Sequence, residues 1–142
     1  MIYVDTSSLL KLFLTDAHSP QVDLAISEER AVAVSSLTEL EACIQIKALS
    51  LGGKISHAKA RRIREGLSLT LIKSPFLRRR LTGSIFKAAM AQHEAATVHC
   101  RSLDRLHLAA MEELGIKRLM THDARQAAVA REMGYQIISP GL

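Results

Sequence analysis

Four acidic residues stand where an idle charge is hard to accommodate: Asp5, Glu41, Asp104 and Asp123. Asp5 follows Met1–Val4, a short apolar run of the kind that forms a buried strand. Thr6, Ser7 and Ser8 then offer helix-cap chemistry ahead of Leu9, Leu10, Leu12 and Phe13. Glu41 lies four residues after Leu37 and three before Ile44. That spacing puts it on the expected apolar stripe of Leu37, Leu40, Ile44, Ala48 and Leu51. In "RSLDRLHLAAMEELG", Ser102 is the expected cap, which sets Asp104 in the first helical turn. This helix reads as apolar nearly all round, so its start is expected to be buried. Asp123 follows an expected strand ending at Met120 and is the expected cap of the next helix.

Each acid has an ordinary explanation of its own. Glu41 could pair with a nearby Arg or Lys. Asp104 suits the positive end of a helix dipole, and Asp123 could simply cap. Glu39, by contrast, needs nothing more than a capping box with Ser36. What the ordinary explanations leave unaccounted for is convergence on one rim of a sheet. Carboxylates in contact repel, and some would protonate at neutral pH unless a cation sat among them. All-oxygen ligands suit Mg²⁺ or Mn²⁺. The chemistry such a site performs is hydrolysis of a phosphodiester by a metal-activated water. One divalent ion would leave about two negative charges uncompensated, so a second, arriving with substrate, is conceivable.

The elements that would position these acids alternate along the chain. Strands are expected at Ile2–Val4, Ala31–Val34, Leu69–Ile72, Arg118–Met120 and Gln136–Ile138. Helices are expected at Ser7–Leu14, Pro20–Glu29 with Ser19 as cap, Leu37–Leu51, Ser56–Gly66, Leu103–Leu114 and Ala124–Met133. Pro75 to Ala96 reads as mostly helical with a break near Gly83. Short apolar strands separated by helices imply an α/β fold with a mostly parallel sheet of four or five strands, covered on both faces. Ligands of such folds sit outside the carboxyl ends of the strands, where the strand order switches. Asp5 and Asp123 both fall on that rim.

The bulk numbers agree. A chain of 142 residues fits one domain, 1–142, with a real core. With 48% hydrophobic but only 4% aromatic residues, that core must be aliphatic and disorder is not expected. Asp5 and Lys11 interrupt any apolar leader, and no stretch approaches the ~18–20 apolar residues that span a bilayer. A cytoplasmic protein with no membrane association is expected, its Cys43 and Cys100 reduced and packed. The formal charge of +5 permits a polyanionic partner. Lys54, Lys59, Arg61, Arg62 and Arg64 cluster, and Arg78–Arg80 follow, either as a solvated face or as a phosphate-contacting patch. The six histidines lack zinc-site spacing. His107 is expected to pack or hydrogen-bond in the core. No phosphate-binding glycine loop or nucleophile elbow is present.

At the four acids the sequence resembles the PIN-domain ribonucleases, and among them the VapC-like toxins of type II toxin–antitoxin pairs. "VDTSSLL" resembles the first motif. "SSLTELE" resembles the second, with Ser35, Thr38 and Glu41 at three-residue steps. "LDRLHLAAM" resembles the "LDAxHLA" signature and "MTHD" the "T-x-D" motif. The resemblance implies a three-layer α/β/α fold and cleavage of RNA dependent on Mg²⁺ or Mn²⁺. It also implies a homodimer and a cognate antitoxin that blocks the site. Asp5, Glu41, Asp104 and Asp123 would hold the metal and carry catalysis, with Thr6, Ser7 and Thr121 steadying them. Arg105 replaces a small residue of the motif and is a candidate either to contact an RNA phosphate or to pair with an acid of the site, which would weaken metal binding; His122 replaces a common aromatic. The competing reading is a non-catalytic PIN-like module that binds RNA or protein. An aspartyl-nucleophile phosphatase fits less well, because Ser7 stands where its second Asp is required.

Overall fold

Alternate residues of each strand are buried on opposite faces of one sheet, as period-2 side-chain alternation requires. The computed structural model describes all 142 residues. In chain order the elements are β1 (Ile2–Val4), α1 (Thr6–Leu9) continued by a 3₁₀ turn (Leu10–Leu12), α2 (Ser19–Ser27), β2 (Val32–Ser35), α3 (Ser36–Leu51), α4 (His57–Leu71), β3 (Phe76–Arg79), α5 (Ser84–Ala95), α6 (Ser102–Glu113), β4 (Arg118–Met120), α7 (Ala124–Glu132) and β5 (Gln136–Ile138).

The five strands lie in the order β3-β2-β1-β4-β5, and every pairing is parallel. Ile2, Val4, Val32, Val34 and Met120 pack with Leu9, Val22, Ile26, Ala42, Ile46, Leu67 and Leu71, so α1 to α4 cover one face. Tyr3, Ala33 and Leu119 pack with Leu108, Met111, Val129 and Ala130, so α6 and α7 cover the other. Helix α5 lies on α6 through Ile85, Ala89 and Ala109. The result is a three-layer α/β/α sandwich with an aliphatic core. No helix is long and apolar enough to cross a membrane. Helix α6 stops where Gly115 takes a φ of 66°, letting Ile116 N donate to Met111 O at 2.9 Å. Only glycine enters that left-handed region without strain.

The structure corrects several expectations. Leu69–Ile72 is not a strand. Ala60, Leu67 and Leu71 keep a helical spacing against the core, so α4 runs through to Leu71. Alternation in "LSLTL" is too short to outweigh that packing. The third strand lies instead at Phe76–Arg79, in the segment expected to be helical. It is an edge strand with only Phe76 fully buried. Its arginines blunt the edge and hide the strand pattern.

The buried face of α3 is Thr38, Ala42, Ile46 and Ser50. Leu40, Ile44 and Leu51 of the expected stripe are exposed, as is Cys43. The helix carries apolar residues on two faces, and the pattern could not say which meets the sheet. Ser35, not Ser36, caps α3 by accepting from Thr38 N at 3.2 Å. Glu39 forms no capping box; it pairs with Arg78 at 2.6 Å. Likewise Ser19 does not cap α2, whose cap position is His18; its hydroxyl donates to Lys11 O.

The register of α3 is open to a direct comparison. Ile46→Ala should lower stability by about 2–5 kcal/mol through the cavity it leaves. Ile44→Ala, at a position 57% exposed, should change it by no more than about 0.5 kcal/mol. Urea unfolding of both variants checks the contrast.

Candidate active site

The chain leaves β1, fills the sheet outward to β3, then returns to β4 on the other side of β1. The carboxyl ends of β1 and β4 therefore form the switch point, where helix starts diverge and leave a crevice. Asp5 follows β1, and its amide extends the ladder to Met120 O at 3.1 Å. Its side chain caps α1. Oδ1 accepts from Ser8 N at 3.0 Å and from Ser7 Oγ at 2.8 Å, while Oδ2 accepts from Thr121 Oγ1 at 2.6 Å. The residue is only 2% exposed. Burial pushes its carboxyl above the usual range, against the opposing hydrogen bonds of Thr121 and Ser8, the charge of His107 and the Ser7 hydroxyl. None of its hydrogen-bond partners is cationic.

Glu41 is held from two elements through one oxygen. Oε2 accepts from Thr6 Oγ1 and meets His107 Nε2, each at 2.6 Å. A carboxylate only accepts, so Nε2 carries the proton. The ring's Nδ1 meets the Tyr3 hydroxyl at 2.7 Å. Tyr3 also meets Ser35 Oγ at 2.6 Å, completing a buried run from β2 through β1 and α6 to α3. Burial pushes the Tyr3 phenol further up, so it stays protonated and donates. Burial also pushes Glu41 up, but His107, Thr6 and the charges of His107 and Arg101 bring it net below its ordinary value. His107 thus hydrogen-bonds in the core, as expected, while orienting a rim carboxylate.

Asp104 and Asp123 share a third residue. Arg101 Nε donates to Asp104 Oδ2 at 2.6 Å, and its Nη2 donates to Asp123 Oδ2 at 2.5 Å. Asp123 also caps α7, Oδ1 accepting from Arg125 N and Gln126 N at 2.8 and 3.1 Å. Burial raises its pKa, but the Gln126 amide, Arg101 and the Arg125 amide outweigh that and hold it below the usual range. The first turn of α6 is not buried as expected; full burial starts at Arg105.

All four acids line one cavity of about 340 Å³, with Arg101, His107, Gln45 and Gln126 among its other walls and Leu103 its single apolar one. Thr6 and Ser7 line it as well. Arg105 does not. It is 4% exposed, with Nη1 against the Met133 sulfur at 3.5 Å and Nε and Nη2 unpartnered. It sits on the face of α6 turned away from the crevice, so it is not presented to an RNA phosphate there. Sequence reasoning missed Arg101, whose position three residues before Asp104 was the available signal. It also missed Tyr3, Gln45 and Gln126, which nothing local marked.

As the side chains stand, no three His, Cys, Asp or Glu groups are gathered closely enough to hold an ion. Arg101 draws Asp104 and Asp123 to itself, and Thr6 and His107 hold Glu41. The donor set nonetheless fits a hard divalent cation: all oxygen, around one cavity, with Asp5 buried and lacking a cationic partner.

The sequence profile of the PIN domain matches residues 2–132, so the chain belongs to the PIN-domain family. Over 147 aligned positions it is 26% identical to "Ribonuclease VapC47" of Mycobacterium tuberculosis, covering 99% of this chain and 98% of that protein. The fold superimposes on M. tuberculosis VapC20, described as a sarcin–ricin loop cleaving toxin, with a TM-score of 0.73 at 20% identity, over 99% of this chain and all of that one. It also matches the Rickettsia felis VapBC2 structure, solved with a promoter DNA fragment, at a TM-score of 0.70 and 12% identity, over 97% and 98% of the two chains.

The raised pKa of Asp5 fixes a sign. Its protonated form favours the fold, so that stabilisation is lost as pH rises from the unfolded value of 3.8 through the higher folded one. Asp5→Asn, which keeps a capping oxygen and removes the buried charge, should therefore raise the Tm of the metal-free protein at pH 7. The gain should vanish below pH 3.8, where both states bind the proton. Thermal scans of both proteins across pH check it.

Proposed function

We propose that this protein is a metal-dependent endoribonuclease, the VapC-like toxin of a toxin–antitoxin pair. The observation that carries the reading is the meeting of four carboxylates, from four separate segments, around one polar cavity at the switch point of a parallel sheet. Similarity to a curated ribonuclease over nearly the full length of both chains supports the RNA substrate. Asp5, Glu41, Asp104 and Asp123 would hold Mg²⁺ or Mn²⁺. Such an ion supplies a water of lowered pKa and stabilises charge on phosphate oxygens. The protein's own groups set the frame. Ser7, Thr121 and the Ser8 amide fix Asp5, so its lone pairs keep one direction. Thr6 and His107 fix Glu41, with Tyr3 and Ser35 behind them.

A cognate antitoxin partner is supported by the likeness to toxin–antitoxin complexes, among them one from Klebsiella pneumoniae with a TM-score of 0.65. A homodimer is part of the same reading. The exposed Leu40, Ile44 and Leu51 of α3 offer apolar surface for either association. One observation favours the second reading, a non-catalytic RNA- or protein-binding module: Arg101 already occupies Asp104 and Asp123.

The purified protein should cleave single-stranded or looped RNA with Mn²⁺ and lose the activity in EDTA. Asp5→Asn and Asp104→Asn should each lower the rate by about 100-fold or more while circular dichroism stays native. Absence of cleavage by the unmodified protein across a mixed RNA pool supports the module. Full activity of either variant removes that residue from the machinery.

A further inference from the structure

Arg101 is the residue at this rim whose placement neither helix formation nor core packing explains. It occupies the cap position of α6 but makes no capping hydrogen bond. A cation there meets the positive end of the helix dipole, the unfavourable end. Its side chain is 54% exposed and free to extend into solvent, yet the guanidinium turns back into the cavity. Two of its nitrogens bridge carboxylates on different elements, Asp104 at 2.6 Å in the first turn of α6 and Asp123 at 2.5 Å after β4. An ordinary surface pair of the i, i+3 kind would engage Asp104 alone. The second contact reaches across 22 residues of sequence to another wall of the cavity. The guanidinium presents separate nitrogens to the two carboxylates in a fixed plane, whereas an ammonium would have to meet both from one nitrogen.

We propose that Arg101 is the internal counter-cation of the site: it bridges Asp104 and Asp123 in the metal-free protein, and a divalent ion engages those two carboxylates by exchange against the guanidinium. The inference rests on the metal-site reading above and extends it. The rim is divided in two. Asp5 and Glu41 are held by hydroxyls, an amide and an imidazole, with no arginine or lysine against them. Asp104 and Asp123 are held by a permanent positive charge. A metal ion entering the inner pair gains the full field of two carboxylates, whereas at the outer pair it must displace a bound cation. Arg101 therefore weakens metal binding while stabilising the empty protein against carboxylate repulsion. It acts through the two aspartates, as a positioning residue.

Calorimetric titration of Mn²⁺ into the full chain, without RNA, tests this on the unmodified protein, Arg101→Gln, Arg101→Lys and Arg118→Gln. Arg118 pairs with Glu29 outside the cavity and serves as the control for loss of one charge. Arg101→Gln should bind Mn²⁺ about tenfold more tightly or better. Its metal-free Tm should fall and its Tm rise on adding Mn²⁺ should grow. Arg101→Lys should fall between, and it carries the test if the glutamine variant does not fold. Arg118→Gln should match the unmodified protein. Equal or weaker Mn²⁺ binding by Arg101→Gln, beside measurable binding by the unmodified protein, overturns the inference and leaves the nuclease reading standing. No Mn²⁺ binding by any of the four at millimolar metal overturns both.

Discussion

A carboxylate buried between a core strand and a helix, with no cation against it, is the constraint around which the rim is built. Asp5 lies where β1 ends, at the switch point of the sheet, and its lone pairs must be met by donors because water is excluded. The structure meets them with local groups, the Ser8 amide and the Ser7 hydroxyl, and with Thr121 just past the end of the neighbouring strand. That last bond ties β1 to the loop after β4, and so fixes where Asp123 begins α7. Placement of one acid thus determines the approach of another more than a hundred residues away.

Strand alternation does the same work in the other direction. Tyr3 and Val4 are neighbours, yet Val4 packs under α1 to α4 while Tyr3 packs under α6. From there the phenol reaches His107, which reaches Glu41. The carboxylate of α3 is oriented by a side chain of α6, and a residue of β1 backs that side chain from the far side. Burial keeps the phenol protonated, the phenol meets Nδ1, and Nε2 donates to the carboxylate, which can only accept.

The acids consequently carry their charge in unlike ways. Asp5 is strained toward protonation by desolvation, whereas Glu41 and Asp123 are drawn below their ordinary values by the donors that outweigh burial. Carboxylates around one cavity create mutual repulsion. Threonines, a histidine and an arginine relieve part of it, and a hard divalent ion has the charge and ligand preference to relieve the rest.

The sequence by itself determined the α/β class, most of the strands and helices, and the identity of the acids that face the crevice. Those features rest on local signals: apolar runs of strand length, cap residues, and carboxylates at the ends of buried segments. The four motifs that resemble the PIN family agree with the profile that matches most of the chain. Tertiary structure alone decided which apolar face of α3 meets the sheet, because Leu40 and Ile44 offer as good a stripe as Ala42 and Ile46. It also decided that "LSLTL" stays helical and that Phe76–Arg79 becomes the edge strand, since packing against the core overrides short alternation. The side chains around the acids were decided at that level too. Arg105 went inward although its neighbours suggested the rim, and Arg101 reached Asp123 across a gap that no sequence spacing reports. Which charge meets which is fixed by the approach of distant segments.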